Sequence, residues 1–157
     1  MKSRIFRYCT ILVLGLAAIQ TAAYAEGSDL EGIWFAVVQP ITCDTHVVIP
    51  NAPSFRGLLM FGHDGSLTNE AAFPGPSVLR SSGVGTWQHT QAQMYTAAFW
   101  FFRYNGDGTF MSMRRVTSKI TVNGDQWTSI DMFQDFDASD KPTQAIGCNM
   151  VVAMRPQ

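Results

Sequence analysis

Residues 94–136 read MYTAAFWFFRYNGDGTFMSMRRVTSKITVNGDQWTSIDMFQDF, and this stretch decides the fold. It holds three runs rich in β-branched and aromatic residues, separated by Asn105-Gly106-Asp107-Gly108 and by Asn123-Gly124. Runs of that composition bounded by turn residues read as antiparallel strands joined by hairpins. Asn-Gly is the strongest short hairpin signal, because a type I′ turn needs positive φ at both central positions. The same grammar extends in both directions. Strands are expected over 33–38, 56–61, 66–71, 84–89, 94–104, 109–122, 126–136 and 144–155, with turns at 62–65 and 137–142. The segment 39–55 holds Pro40, Pro50 and Pro53 and reads as a long excursion with one short extended piece at 46–49; 73–82 reads as a second loop. No segment carries a helical period. Eight antiparallel strands joined mostly by short turns point to an all-β, up-and-down β-barrel, which removes the exposed edges of the sheet. An open β-sandwich is the alternative.

Residues 1–25 read as a signal peptide rather than fold. Lys2, Arg4 and Arg7 precede the ten-residue apolar run of 10–19, and Ala23-Tyr24-Ala25 fits the small-x-small cleavage rule. Cleavage after Ala25 leaves one domain over 26–157, exported to a periplasm or secreted. The apolar run is too short to span a bilayer, and no other stretch is long enough. Removing Lys2, Arg4 and Arg7 leaves eight of the eleven Lys/Arg against all twelve Asp/Glu, a mature net charge of −4. No basic stripe survives to hold nucleic acid or an anionic membrane. Cys9 leaves with the signal, so Cys43 and Cys148 remain. In an oxidising compartment a lone pair of this kind reads as a disulfide, here between the segment after the first strand and the last strand; free thiols or a metal site are the alternatives, and neither cysteine belongs to a CxxC motif.

The hairpins assign the faces. A two-residue loop at Asn123-Gly124 sets Val122 opposite Asp125, Val116 opposite Asp131 and Arg114 opposite Phe133. Tyr104 opposite Thr109 sets Phe99 opposite Arg114 and Phe101 opposite Ser112. One face then carries Tyr95, Ala97, Phe99, Phe101, Phe110, Ser112, Arg114, Val116, Trp127, Asp131 and Phe133. The other carries Met94, Ala98, Trp100, Phe102, Met111, Met113, Arg115, Ile130 and Met132. The first is read as the interior, because aromatics mixed with a few polar groups are the usual lining of a small-molecule pocket. Arg114 and Asp131 are expected diagonally across the hairpin. Either Arg114 anchors the carboxylate or other polar end of an amphipathic ligand, or the two form a structural ion pair.

Gly32-Ile33-Trp34 on the first strand, with Arg155 near the end of the last, resembles the lipocalin and calycin pattern. The resemblance implies a barrel whose one end is closed by Trp34 of the Gly32-Ile33-Trp34 motif, with Arg155 packed across it. It spans the mature chain in topology and only these positions in motif. The chain is shorter than typical lipocalins and lacks their helix after the eighth strand and their second motif. Fatty-acid-binding proteins carry a helical pair after the first strand, where this chain is Pro-rich. The chain therefore looks like a divergent bacterial lipocalin-like barrel.

Three function classes follow. The first is binding of a small apolar or amphipathic ligand by Arg114, Asp131, Tyr95, Phe99, Phe101, Phe110, Trp127 and Phe133, framed by the loops 40–55 and 72–82. The second is a barrel-type cyclase or isomerase, with Asp131 or Tyr95 as acid or base. The third is a filled barrel with a structural or interaction role. No nucleophile elbow, phosphate loop or metalloprotease motif is present. No cofactor is expected, and no metal: His46, His63 and His89 lie in loops or at a strand end, and the methionines are spread over many strands. If the Trp100/Phe102/Met111/Met113 face points outward it wants a cover, which a homo-oligomer would supply.

Overall fold

Side-chain alternation along β1 (Gly32–Ile41) sorts the chain into an inside and an outside. Trp34, Ala36 and Val38 are buried, while Ile33, Phe35 and Val37 face out. The computed structural model describes residues 29–72 and 79–157. The expected signal peptide lies outside these residues. Eight further strands follow: β2 (Phe55–Phe61), β3 (Ser66–Ala72), β4 (Leu79–Arg80), β5 (Gly83–Gln91), β6 (Met94–Tyr104), β7 (Phe110–Asn123), β8 (Gln126–Phe136) and β9 (Gly147–Met154). No helix occurs among the described residues.

Every neighbour pairs antiparallel, in the ring β1-β2-β3-β5-β6-β7-β8-β9, and β9 returns to β1. The architecture is a closed eight-stranded up-and-down barrel, as the strand pattern led us to expect. The two-residue β4 is extra. It lies beside β6 beyond the end of β5, with Leu79 opposite Tyr104 and Arg80 opposite Arg103. It arises inside the segment read from sequence as a loop, where two residues of main chain found an unpaired stretch of β6.

The interior divides into two halves. One end is packed solid by Leu30, Trp34, Phe61, Trp87, Tyr95, Ile120, Val122, Trp127 and Ala153. Trp34 and Phe61 each meet Trp127 edge-on at 6.3 Å, and Phe61 meets Trp87 edge-on at 6.1 Å. Arg155 lies over this plug. Its guanidinium carbon is 4.2 Å from the centre of the Trp34 ring, and it donates to the carbonyls of Glu31 (2.9 Å) and Asp29 (2.7 Å). The Trp34 indole donates to the Leu30 carbonyl at 2.8 Å. Gly32 has φ +104°, and a Cβ there would stand 3.1 Å from the guanidinium, so glycine both permits the turn of the chain and leaves room for Arg155.

At the other end Cys43 and Cys148 stand at disulfide distance, with Cα atoms 5.2 Å apart across 105 residues of sequence. Cys148 pairs with Ile41 at the end of β1, so the link fastens the first strand to the last. Closing so long a loop restricts the unfolded chain strongly. The double variant Cys43→Ala/Cys148→Ala is expected to lose about 3 kcal/mol of stability, read from urea unfolding monitored by tryptophan fluorescence.

Both hairpin registers differ from the sequence expectation by two residues. The β7–β8 loop is Gly124-Asp125, because Asn123 pairs with Gln126. Of the loop residues only Gly124 takes positive φ, at +60°, which suits a turn with glycine at its first central position rather than one needing positive φ at Asn123 as well. Ser118 therefore faces Asp131, Val116 faces Phe133 and Arg114 faces Asp135. In the β6–β7 hairpin Tyr104 faces Phe110 and Arg103 faces Ser112, so Met111 is an extra residue, a β-bulge. The bulge turns Phe110 to the outer face, where it is 42 % exposed and meets Phe102 edge-on. Because both slips are by two, the remaining residues assigned to the interior keep that face.

Candidate functional site

The solid half ends at Trp127. Beyond it, towards the disulfide, the interior holds a cavity of about 50 Å³. Its apolar lining is Val38, Phe55, Leu59, Phe99, Phe101, Val116, Trp127, Phe133 and Val151, and its polar lining is Asn69, Arg80, Arg114, Asp131 and Asn149. Of the residues singled out from sequence, Phe99, Phe101, Trp127, Phe133, Arg114 and Asp131 meet here. Tyr95 does not line the cavity: it is buried in the plug, with its ring 5.9 Å from Trp87 and 4.9 Å from His89. Phe110 is excluded by the bulge.

Arg114 pairs with Asp135, not with Asp131. Its Nε and one terminal nitrogen reach the two Asp135 oxygens at 2.6 and 2.8 Å, a bidentate fork, and its guanidinium stacks 4.2 Å above the Phe133 ring. The two-residue register shift is the reason, since it carries Asp131 from opposite Val116 to opposite Ser118 and brings Asp135 opposite Arg114. Arg103 donates to the same carboxylate, and the Gln144 amide adds a hydrogen bond at 3.0 Å. Gly147 makes room for the stack, because a Cβ there would strike the Phe133 ring. Burial alone would push the Asp135 carboxyl up; hydrogen bonds from Arg114 and Arg103 and their charges outweigh it and hold it below the usual carboxylate range. Its side chain is 3 % exposed. Asp135→Asn is expected to cost roughly 3 kcal/mol near neutral pH, because it strands two cations around one neutral amide. The loss should shrink in urea melts at acid pH, as falling pH takes the wild-type carboxylate through its depressed native value.

Asp131 makes no ion pair among the described residues. Its carboxylate accepts hydrogen bonds from the hydroxyls of Ser129 (2.6 Å) and Ser118. Burial pushes its carboxyl up to about 6, against the pull of those two hydroxyls. A carboxyl raised in the native state favours folding only while it stays protonated. Its contribution is full below the unfolded value of 3.8 and is lost as pH rises through about 6. Asp131→Asn keeps the shape without the charge. It is expected to be more stable than wild type at pH 7.5, by up to about 3 kcal/mol, and to show no gain at pH 3.5 in thermal melts.

Arg80 was not singled out from sequence. It stood in a loop rich in Pro, Gly and Ser, and its only sequence mark was to be a lone cation there. The β4–β6 pairing swings it over the cavity, with its guanidinium carbon 3.7 Å from the centre of the Phe101 ring. It donates to the Asn69 side-chain oxygen (2.9 Å), the Asn69 carbonyl (3.2 Å) and the Ser81 carbonyl (2.9 Å). Gly83 provides the gap, since a Cβ there would come within 3.1 Å of both the guanidinium and Phe99. Burial lowers Arg80 to about 10, with the nearby Arg114 adding to the effect and Glu70 opposing it.

Among the described residues two buried side-chain polar atoms have no partner, Ser112 Oγ and the indole nitrogen of Trp127, which lines the cavity. No group of three His, Cys, Asp or Glu side chains is placed to hold a metal among the described residues. The arrangement can enclose a small apolar body and present cations and hydrogen-bond donors to it. Comparison of the chain with protein-family models, with curated proteins and with solved structures finds no match.

Proposed function

We propose that this chain is an exported, lipocalin-like barrel that binds a small apolar or amphipathic molecule in the half of its interior beyond Trp127. The observation that supports the reading most directly is the cavity itself, with aromatic walls, a few convergent polar groups and, on the lining residue Trp127, an indole N–H without a partner among the described residues. Burial of ligand surface on Phe99, Phe101 and Phe133 would drive binding, at roughly 25 cal/mol per Å² before ordering costs. The size of the cavity limits what is enclosed to a few heavy atoms, so a larger ligand must project from the mouth. Export is read from residues 1–25 and agrees with a cysteine pair at disulfide distance.

A filled barrel with an interaction role is the second reading. The aromatic plug and the small cavity favour it, since an eight-stranded barrel is just wide enough for its own side chains. The outer face bears on the same question. Phe35, Leu58, Met60 and Met154 adjoin one another there and are each at least 40 % exposed, a surface that a homo-oligomer would cover. A cyclase or isomerase reading would rest on Asp131, since Tyr95 stands outside the cavity.

Native mass spectrometry of the mature protein from the exported fraction of its host separates the first two. A co-purifying small molecule, released on denaturation and absent from a Val116→Trp variant that still folds, is the expected result. An apo mass together with no uptake of neutral aromatic probes would leave the filled barrel.

A further inference from the structure

Three guanidiniums, of Arg80, Arg103 and Arg114, converge on the mouth half of the barrel, and one buried carboxylate answers them. Asp135 is taken by Arg103 and by both arms of the Arg114 fork. Every acceptor of Arg80 is a neutral oxygen, on Asn69 and Ser81. Among the described residues no carboxylate stands within ion-pair distance of Arg80. Glu70 acts on it only through space, from an exposed position, and Asp131 is engaged by two serine hydroxyls. A partly buried guanidinium without a counter-charge is costly, and the site lowers that cost when an anion arrives. An independent second feature points to an occupant: Trp127, a residue 2 % exposed that lines the same cavity, has an indole N–H with no acceptor among the described residues.

We propose, resting on the ligand-binding reading above, that the occupant is a compact organic anion whose carboxylate seats on Arg80 at the mouth and whose apolar body lies on Phe99 and Phe101 above Trp127. Arg80 is already fixed for the task. Phe101 supports one face of its guanidinium, Asn69 holds one terminal nitrogen and Ser81 holds Nε, while the other terminal nitrogen has no acceptor among the described residues. The guanidinium fork suits a carboxylate better than a neutral carbonyl. A cavity of about 50 Å³ encloses a few heavy atoms of such an acid, leaves the remainder at the mouth, and rejects full enclosure of a long alkyl chain.

Isothermal titration of the mature protein with matched probes tests this: benzoate against benzamide, and hexanoate against hexanamide. Wild type is expected to favour each acid over its amide by about tenfold or more, and to lose that preference as salt rises. Arg80→Met keeps the stem of the side chain and its packing. It is expected to bind the amides as wild type does and the acids no better than the amides, with Arg80→Lys in between. Equal affinity of wild type for acid and amide overturns the anion while leaving the ligand-binding reading intact. So does an undiminished acid preference in a folded Arg80→Met. No binding of any acid, any amide or neutral toluene overturns both. If Arg80→Met fails to fold, the wild-type ratio and its salt dependence still decide.

Discussion

Main-chain pairing of β1 with β9 turns a meander of hairpins into a ring, and the interior exists only because of it. Every other strand pair in the ring joins strands that are neighbours in sequence, with only the two-residue β4 intervening between β3 and β5. The first and last strands are more than a hundred residues apart, so nothing local holds them. Two long-range fastenings sit at the two ends of this seam. At one end Cys43 is linked to Cys148, beside the Ile41–Cys148 pair. At the other, Arg155 donates to the carbonyls of Asp29 and Glu31 and covers Trp34. Closure leaves no free edge among the eight ring strands, and it obliges every inward side chain to fit a lumen of fixed width.

That lumen is used in two ways. Towards Arg155 it is filled by large rings in edge-to-face order, which supplies hydrophobic burial and leaves no room for a guest. Towards the disulfide the inward residues become polar and charged among phenylalanines. Two Arg–Phe stacks, Arg80 on Phe101 and Arg114 on Phe133, line this half. Glycines at 83 and 147 leave the space that each stack needs. Among the described residues, buried Asp131 and half-buried Arg80 are the charges here without an opposite charge in hydrogen-bonding reach. Each lies against neutral partners, and burial displaces the pKa of each in the direction that disfavours its charge. Imbalance of that kind is expensive in a purely structural core, which is why this half and not the plug is the candidate site.

Much of this was legible in the residues. Turn chemistry and strand composition are local properties, so the strands, the closed all-β class and the inward face of β6, β7 and β8 could be read directly. The registers of the two decisive hairpins were not legible to the last residue. Asn123-Gly124 and Gly124-Asp125 are both good turn pairs, and the choice between them decides whether Phe133 or Asp135 stands opposite Arg114. The bulge at Met111 left no mark in composition, so Phe110 read as interior. Arg80 was hidden because its position depends on a two-residue strand that forms only against an already folded β6.

The sequence by itself determined an all-β chain of hairpins with two cysteines to join and apolar residues on both faces, because period-two patterning and turn preferences act over a few residues. Only the tertiary structure decided that Arg114 belongs to Asp135, that Asp131 is left to two serines, and that Arg80 hangs uncompensated over an aromatic cavity. Charge pairing inside a barrel depends on register and on which strands close the ring. Both are set by packing across the whole lumen rather than by any short stretch of chain.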